Sequence, residues 1–192
     1  MKKLLIFISI LTALAFTDKL VSKTSVMIAP NSKLLIIGKT NVNSFKCRYN
    51  VSKLNKPIPI IFKKHGGKIS FEKTTLVLDN ANFDCGGFGI NNDFQELLKT
   101  KSYPQVFIKL REITKDQNDE SLVQALVDLE IAGITKSYTV PIELKEEGIM
   151  SIKGVLALNI RDFNLEPPKK ALGMIVVKDV IEINFELGVV KQ

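Results

Sequence analysis

Tryptophan is absent from this sequence of 192 residues, histidine occurs once and cysteine occurs twice. A structural zinc site takes about four Cys or His ligands, so these three side chains are too few to form one. The single imidazole, His65, lies in Lys63-Lys64-His65-Gly66-Gly67, a turn-like segment in which we interpret it as a solvated loop residue. The sequence therefore offers few residues that could form a nucleophile paired with a general base. The sequence predicts no metal site, no cofactor and no enzyme.

The sequence also has only a small excess of positive over negative charge. The 27 Lys and Arg residues exceed the 20 Asp and Glu residues by only seven, and many lysines alternate with acids or sit in turns, so we predict no nucleic-acid partner. The chain is 45% hydrophobic and 24% charged, which excludes a disordered protein and suffices for one core. Eleven Gly and seven Pro exclude a collagen-like or low-complexity chain.

A long hydrophobic run occurs only at the N-terminus. Lys2 and Lys3 precede an apolar stretch from Leu4 to Leu14, and Ala13-Leu14-Ala15 offers small residues where a signal peptidase acts. A transmembrane helix needs about 20 apolar residues, and Asp18 follows too soon. We therefore predict a signal peptide over residues 1–15, cleaved after Ala15, and no stable insertion in a membrane.

The predicted leader makes residues 16–192 the mature domain, exported to the periplasm or secreted. Export bears on Cys47 and Cys85, because an even number of cysteines in an oxidising compartment favours a disulfide. Spacing alone does not show that two Cα atoms approach within about 7 Å. A Cys47–Cys85 disulfide and a pair of free thiols therefore both stay open.

Alternation with period two dominates the rest of the chain. From Val123 to Ile131 every odd position is apolar, and the even positions include Gln, Asp and Glu. The segments Ile181 to Leu187 and Tyr138 to Leu144 show the same pattern, which indicates strands with one dry face. Pro141 cannot donate a ladder hydrogen bond, so we place its strand at an edge or a bulge. Weaker patterns predict further strands over Leu34–Gly38, Phe45–Tyr49, Lys68–Phe71, Thr75–Leu78, Val106–Leu110 and Ser151–Ile160.

One segment predicts a helix. Asn91 or Asn92 can cap it, Asp93 and Glu96 suit the positive end of its dipole, and Pro104 lies beyond its end. Phe94, Leu97 and Leu98 fall on one face. A single short helix among many short strands indicates an all-β antiparallel sandwich or a closed barrel.

The segment before this helix, Gly86-Gly87-Phe88-Gly89, has the glycine content of a phosphate cradle. A phosphate-binding loop also needs a Lys-Ser/Thr pair and a parallel strand–helix unit, and the sequence shows neither here. We interpret the segment as a glycine-rich bend.

A series of motifs resembles the YceI-like proteins in its order and spacing, over nearly the whole mature chain from about Ser32 to Leu187. These motifs are Gly38-Lys39-Thr40-Asn41-Val42, Phe83-Asp84-Cys85-Gly86, Asn91-Asn92-Asp93-Phe94, Tyr103-Pro104, Leu129-Glu130-Ile131-Ala132-Gly133-Ile134-Thr135-Lys136 and Asp162-Phe163-Asn164-Leu165-Glu166-Pro167-Pro168. The family usually has Gly after the Asp-Phe pair, where this chain has Asn164. Asn tolerates the left-handed conformation, so we expect the turn to persist.

The resemblance implies an exported, lipocalin-like antiparallel β-barrel of about eight strands with one short helix, whose interior can hold one small ligand. In that family the lumen is linked to long amphiphilic isoprenoid chains, so the implied partner is an isoprenoid-like lipid. Candidate lumen residues come from the apolar faces of the predicted strands. They are Val106, Ile108, Leu110, Val127, Leu129, Ile131, Tyr138, Val140, Leu156, Leu158, Ile183 and Phe185.

The same side chains can also fill a solid barrel. Two functions therefore remain. The first is a carrier or scavenger that holds an apolar chain in an open lumen. The second is a structural or stress-protective exported protein with a packed core that acts through protein partners. The sequence leaves the oligomeric state open.

Overall fold

A computed structural model describes residues 21–116, 119, 122–167, 169–170 and 175–192. The predicted signal peptide, residues 1–15, lies outside the described residues. The described part of the chain forms thirteen β-strands and one α-helix. No helix in this part is both long and apolar enough to cross a membrane.

The elements follow one another with short connections. The strands are β1 (Val21–Ile28), β2 (Lys33–Thr40), β3 (Ser44–Tyr49), β4 (Ile58–His65), β5 (Lys68–Glu72), β6 (Thr75–Asp79), β7 (Phe83–Asp84), β8 (Gln105–Lys115), β9 (Leu122–Ile131), β10 (Ile134–Glu147), β11 (Ile149–Asn159), β12 (Lys169–Lys170) and β13 (Ile175–Lys191). The helix α1 spans Phe88–Leu97, and single turns of 3₁₀ helix span Val51–Lys53, Asn80–Asn82 and Ile160–Phe163.

Eight strands close into an antiparallel ring in the order β1, β4, β5, β8, β9, β10, β11 and β13, and the end of β13 pairs with β1. This confirms the predicted antiparallel β-barrel with one short helix. The ring is uneven because two strands have a divided edge. One edge of β13 pairs first with β2 and then with β1, and one edge of β8 pairs first with β6 and then with β5.

Each of the nine predicted strands is present, most of them extended by a few residues, although β11 ends at Asn159, one residue short of the predicted end. The prediction missed β1, β4 and the two-residue strands β7 and β12. In β1, Ser and Lys interrupt the alternation, and β4 carries Pro59 near its start. Because β4 extends to His65, the placement of His65 in a loop is wrong. It is the last residue of a strand, its side chain is exposed, and Gly66 and Gly67 form the turn.

The placement of Pro141 at a sheet edge or a bulge is wrong for the strand as a whole, because β10 lies between β9 and β11. Pro141 itself is opposite Gln124 of β9, and the pairing of β10 with β11 begins only at Ile142. The missing N–H of proline is tolerated here because the second ladder has not yet begun.

The helix begins earlier than predicted. Gly87 precedes its first residue, so Phe88 and Gly89 belong to the first turn, and only Gly86, with φ +94°, and Gly87 form the predicted bend. The first turn contains no acidic residue, so the predicted role of Asp93 and Glu96 at the positive end is wrong. Neither Asn91 nor Asn92 is the cap, because both lie inside the helix and Gly87 is its N-cap.

The turn at Asn164 is confirmed. This residue ends the last 3₁₀ turn with φ 53° and ψ 38°, which is the left-handed conformation. Asn adopts this conformation more readily than most residues because its short polar side chain can hydrogen-bond locally. The turn directs Leu165, which is 2% exposed, back into the core.

Candidate functional site

A cavity lies inside the barrel between the strands and α1. Its volume is about 60 Å³. A single water needs roughly 10–15 Å³, so the cavity is a real gap in the core. Seventeen side chains line it: Leu34, Ile36, Phe45, Leu78, Phe83, Phe94, Leu97, Leu98, Val106, Ile108, Leu129, Ile131, Ile160, Leu165, Val177, Ile181 and Ile183.

Alternation along the strands places most of these side chains. Successive residues of a strand point to opposite faces, so an apolar residue at every second position builds a continuous inner wall. Val106 and Ile108 do so on β8, and Ile181 and Ile183 do so on β13. Ile183 pairs with Ile36 of the neighbouring β2, which extends the wall across the sheet.

The helix supplies another wall of the cavity. Phe94, Leu97 and Leu98 line the cavity from α1 and the residue after it, because positions three and four apart share one helix face. Phe94 packs against Phe83 with ring centroids 5.2 Å apart, and Phe83 packs edge-on against Tyr49 at 4.9 Å. This aromatic series joins the helix to β3 and β7.

A disulfide joins Cys47 of β3 to Cys85, three residues before α1, and closes a loop with a sequence separation of 38. The Asn91 side chain accepts a hydrogen bond from the Cys85 amide at 2.6 Å and donates one to the Asp84 carboxylate at 3.1 Å. The Gly86 amide donates to the same carboxylate at 3.0 Å. The start of α1 is therefore fixed both covalently and by hydrogen bonds.

These hydrogen bonds hold the pKa of Asp84 below its ordinary value. The Gly86 amide contributes most, the Asn91 amide follows, and the positive charge of Arg48 adds to both. Donors that bond the charged form of a carboxylate stabilise it over the neutral form. Asp84 thus acts as an ionised anchor for the bend before the helix.

The other end of α1 is held by the loop that follows it. Lys99 donates to the carbonyl oxygen of Asn164 at 3.2 Å. Asn80, which is 1% exposed, donates to the carbonyl oxygen of Tyr103 at 2.9 Å and to the Thr100 hydroxyl at 3.1 Å. Buried polar side chains are stable only when they are bonded in this way, so Asn80 fixes the connection from α1 to β8.

A second apolar cluster lies further along the lumen, by which we mean the space inside the ring of strands. It is built on three buried residues, Ala125, Val140 and Ile142. Half-buried side chains pack around them, among them Leu110 and Val127. Leu110 and Val127 lie on the same strand faces as the cavity residues Ile108 and Leu129, so the apolar face of the lumen continues beyond the cavity.

The structure divides the twelve predicted lumen residues. Five of them line the cavity: Val106, Ile108, Leu129, Ile131 and Ile183. Six belong to the second cluster: Leu110, Val127, Tyr138, Val140, Leu156 and Phe185. Leu158, 3% exposed, is part of the buried core around the cavity.

Twelve cavity residues were not among the candidates. Leu34, Ile36 and Ile181 alternate within predicted strands, and Phe94, Leu97 and Leu98 form the predicted helix face, so the signal for these six was present. Ile160 continues the alternation of Leu156 and Leu158 in a predicted strand, whereas Phe83 and Leu165 lie on short or irregular segments, where no periodicity reports which way a side chain points. Their part in the wall follows only from the tertiary fold.

The cavity is electrically neutral. In the described part of the chain, no polar or charged side chain lines it, and no group of three or more His, Cys, Asp or Glu residues is placed to hold a metal ion. The nearby Tyr138 has a raised pKa, first because of burial and then because of the negative charge of Asp162, so its hydroxyl stays protonated. Such a lining offers dispersion and hydrophobic contact to a ligand.

Comparison with known proteins gives a consistent result. The family model for the YceI-like domain matches residues 33–189. No curated protein matches the chain significantly. Among solved structures, BcnA from Burkholderia cenocepacia has a TM-score of 0.63 at 23% identity, covering 83% of this chain and 96% of that one.

Two further structures share the fold. A polyisoprenoid binding domain from Saccharophagus degradans, implicated in plant cell wall breakdown, has a TM-score of 0.60 at 14% identity and covers 86% of this chain and 98% of its own. The Campylobacter jejuni YCEI protein has a TM-score of 0.51 at 17% identity, with 69% and 80% covered. At these identities the likeness concerns the fold.

Proposed function

The chain belongs to the YceI-like domain family, and we propose that it is a lipid-binding protein that holds one isoprenoid-like chain in its lumen. The observation that carries this proposal is the cavity, which seventeen apolar side chains line. Hydrocarbon is the ligand chemistry that such a wall accepts without leaving a polar group unpaired.

The energetics favour a long apolar chain over a small ligand. Each methylene group moved from water into an apolar site contributes roughly 0.8 kcal/mol, and the half-buried residues along the lumen, such as Ile108 and Val127, gain burial at the same time. An amphiphilic chain of several isoprene units can therefore bind through its tail while its polar head stays in water.

The solved relatives supply separate support. One structure of this fold is described as a polyisoprenoid binding domain. The predicted export of residues 16–192 and the disulfide between Cys47 and Cys85 agree with each other, because disulfides persist in oxidising compartments. A carrier or scavenger role in the periplasm, or outside the cell, is the function that we propose for the lipid-bound protein.

Organic extraction tests the proposal. The protein is purified from its native compartment without detergent, and its extract is analysed by mass spectrometry. We expect one long-chain lipid per protein molecule, with isoprenoid fragmentation. An extract that contains no lipid, or only traces of mixed membrane phospholipid, contradicts the proposal and favours the structural or stress-protective role with a packed barrel.

A pair of variants makes the extraction specific to the lumen. Ile108→Phe adds a ring to the cavity wall, and Val155→Phe adds the same ring on the outer face of β11, where Val155 is 52% exposed. An open cavity accommodates the larger side chain at little cost, whereas a packed core loses about 1–3 kcal/mol. We expect both variants to fold, and only Ile108→Phe to lose the lipid.

A further inference from the structure

Three side chains stand where the two apolar regions of the lumen meet. Tyr138, Leu156 and Phe185 pack both against the core around the cavity and against the second cluster. Phe185 is two residues beyond Ile183, which lines the cavity, and two residues along a strand span roughly 7 Å. A chain that passes from the cavity into the second region must pass these three side chains.

The Phe185 ring lies against the wall at this junction. Phe185 is paired across the strands with Gly154 of β11. A Cβ atom on residue 154 would lie 2.5 Å from Cζ of Phe185 and 3.1 Å from Cγ2 of Ile142, which is too close for the ring to remain. The absence of a side chain at Gly154 therefore lets the aromatic ring lie over the backbone instead of across the lumen.

A second pair of the same kind occurs in the cavity itself. Gly38 of β2 is paired with Phe45 of β3, and a Cβ atom on residue 38 would overlap the Phe45 ring. Phe45 lines the cavity. The two glycine–phenylalanine pairs thus control the position of one ring at the cavity and one ring at the junction.

Building on the lipid-binding function, we propose that the Gly154–Phe185 pair determines how long an apolar chain the protein accepts. With the ring held against Gly154, the passage from the cavity to the second cluster is open, and a long chain extends through both regions. With the ring displaced, the chain must end inside the cavity. Gly154 is therefore a specificity-determining residue for chain length, although Phe185 is the residue of the pair that contacts the ligand.

The experiment compares two prenyl alcohols by native mass spectrometry of the full mature protein: farnesol, with three isoprene units, and solanesol, with nine. For Gly154→Ala we expect farnesol binding to persist and solanesol binding to weaken about tenfold or more. The double variant Gly154→Ala/Phe185→Leu, which removes the obstructing ring, should regain solanesol. Gly38→Ala, which displaces the cavity ring, should weaken both ligands.

Each result has a defined meaning. Equal solanesol binding by Gly154→Ala and the parent, an equal loss of both alcohols, or no rescue in the double variant overturns the chain-length assignment and leaves the lipid-binding function standing. A parent that binds farnesol and not solanesol also overturns it, because the passage is then closed. A parent that binds neither alcohol contradicts the lipid-binding function itself. If Gly154→Ala does not fold, Phe185→Trp decides, because a larger ring opposite Gly154 must weaken solanesol binding and leave farnesol binding unchanged, and equal binding of both alcohols by this variant and the parent overturns the assignment.

Discussion

The two ends of the barrel are stabilised in different ways. At the end covered by α1, the contacts include a disulfide, packed aromatic rings and hydrogen bonds of buried groups such as Asn80, beside one exposed ion pair between Arg161 and Asp179. At the opposite end, where β4 turns into β5 and β10 into β11, the contacts include ion pairs between exposed side chains. The Lys63–Glu72 pair, with 2.6 Å between Nζ and Oε1, is an example.

This difference indicates which end has to hold its shape. Exposed ion pairs contribute little because water and salt screen them, so the hairpin tips owe their order to the strands behind them. No polar side chain of the described residues lines the cavity, so no ion pair or side-chain hydrogen bond within it holds its shape. Its walls are kept apart by anchors outside it, and the disulfide and the Asp84 hydrogen bonds are two of them.

The largest effect is expected from a charge in the cavity wall. Leu129 is 2% exposed, and Leu129→Asp buries a carboxylate that has no partner, which costs several kcal/mol. Val155→Asp, on the exposed outer face, should change the free energy of unfolding by no more than about 0.5 kcal/mol. Urea denaturation of both variants measures the contrast, and similar midpoints would mean that Leu129 does not face a dry interior.

Loss of the disulfide ranks second. A closed loop with a separation of 38 residues stabilises the fold by roughly 3–4 kcal/mol in the chain-entropy model. Reducing agent should lower the urea midpoint of the parent to that of Cys47→Ala/Cys85→Ala, and should leave the midpoint of that double variant unchanged. Two titratable thiols in denatured, non-reduced protein would contradict this expectation.

Acid should loosen the anchor at Asp84. Its pKa in the folded protein is lower than its ordinary value of 3.8, so its contribution is complete above that value and is lost as the pH falls through the lower, folded value. Asp84→Asn removes this titration. We expect the melting temperature of the variant to fall less steeply with acid below about pH 4 than that of the parent. Parallel curves for the two proteins would assign the acid sensitivity elsewhere.

The smallest effect is expected at the opposite end. Lys63 holds the pKa of Glu72 below its ordinary value, first by a hydrogen bond and then by its charge, but both groups are in contact with water. Glu72→Gln should leave the melting temperature nearly unchanged. A loss comparable to that of the disulfide variant would show that the two ends do not differ as described.

Periodicity explains why much of this structure is predictable from sequence. On β8 and β9, alternation places Val106, Ile108 and Leu129 on the inner face without any knowledge of the fold. The start of α1 was not predictable in the same way. Asn91 has the side chain of a helix cap, but its amide bonds Asp84 and Cys85, and only the tertiary arrangement makes that bond available. The local preference of Asn for a helix cap was overridden by a tertiary contact that cannot be predicted from the sequence.

The prediction of the cavity wall from sequence is limited for the same reason. Phe83 and Leu165 contribute to its wall from a two-residue strand and from the residue after a left-handed turn. Neither segment is long enough to carry a period. The roles of Gly38 and Gly154 are also invisible in the sequence, because they depend on which aromatic ring the strand register sets opposite each glycine.

The central claim is that the lumen holds one lipid chain. Native mass spectrometry of the intact protein, purified from its own compartment without detergent, tests this claim most directly. We predict a single added mass of one long-chain lipid per protein molecule, present in Val155→Phe and absent from Ile108→Phe. A parent protein that shows only the mass of its polypeptide, with both variants folded and equally free of lipid, would contradict the claim.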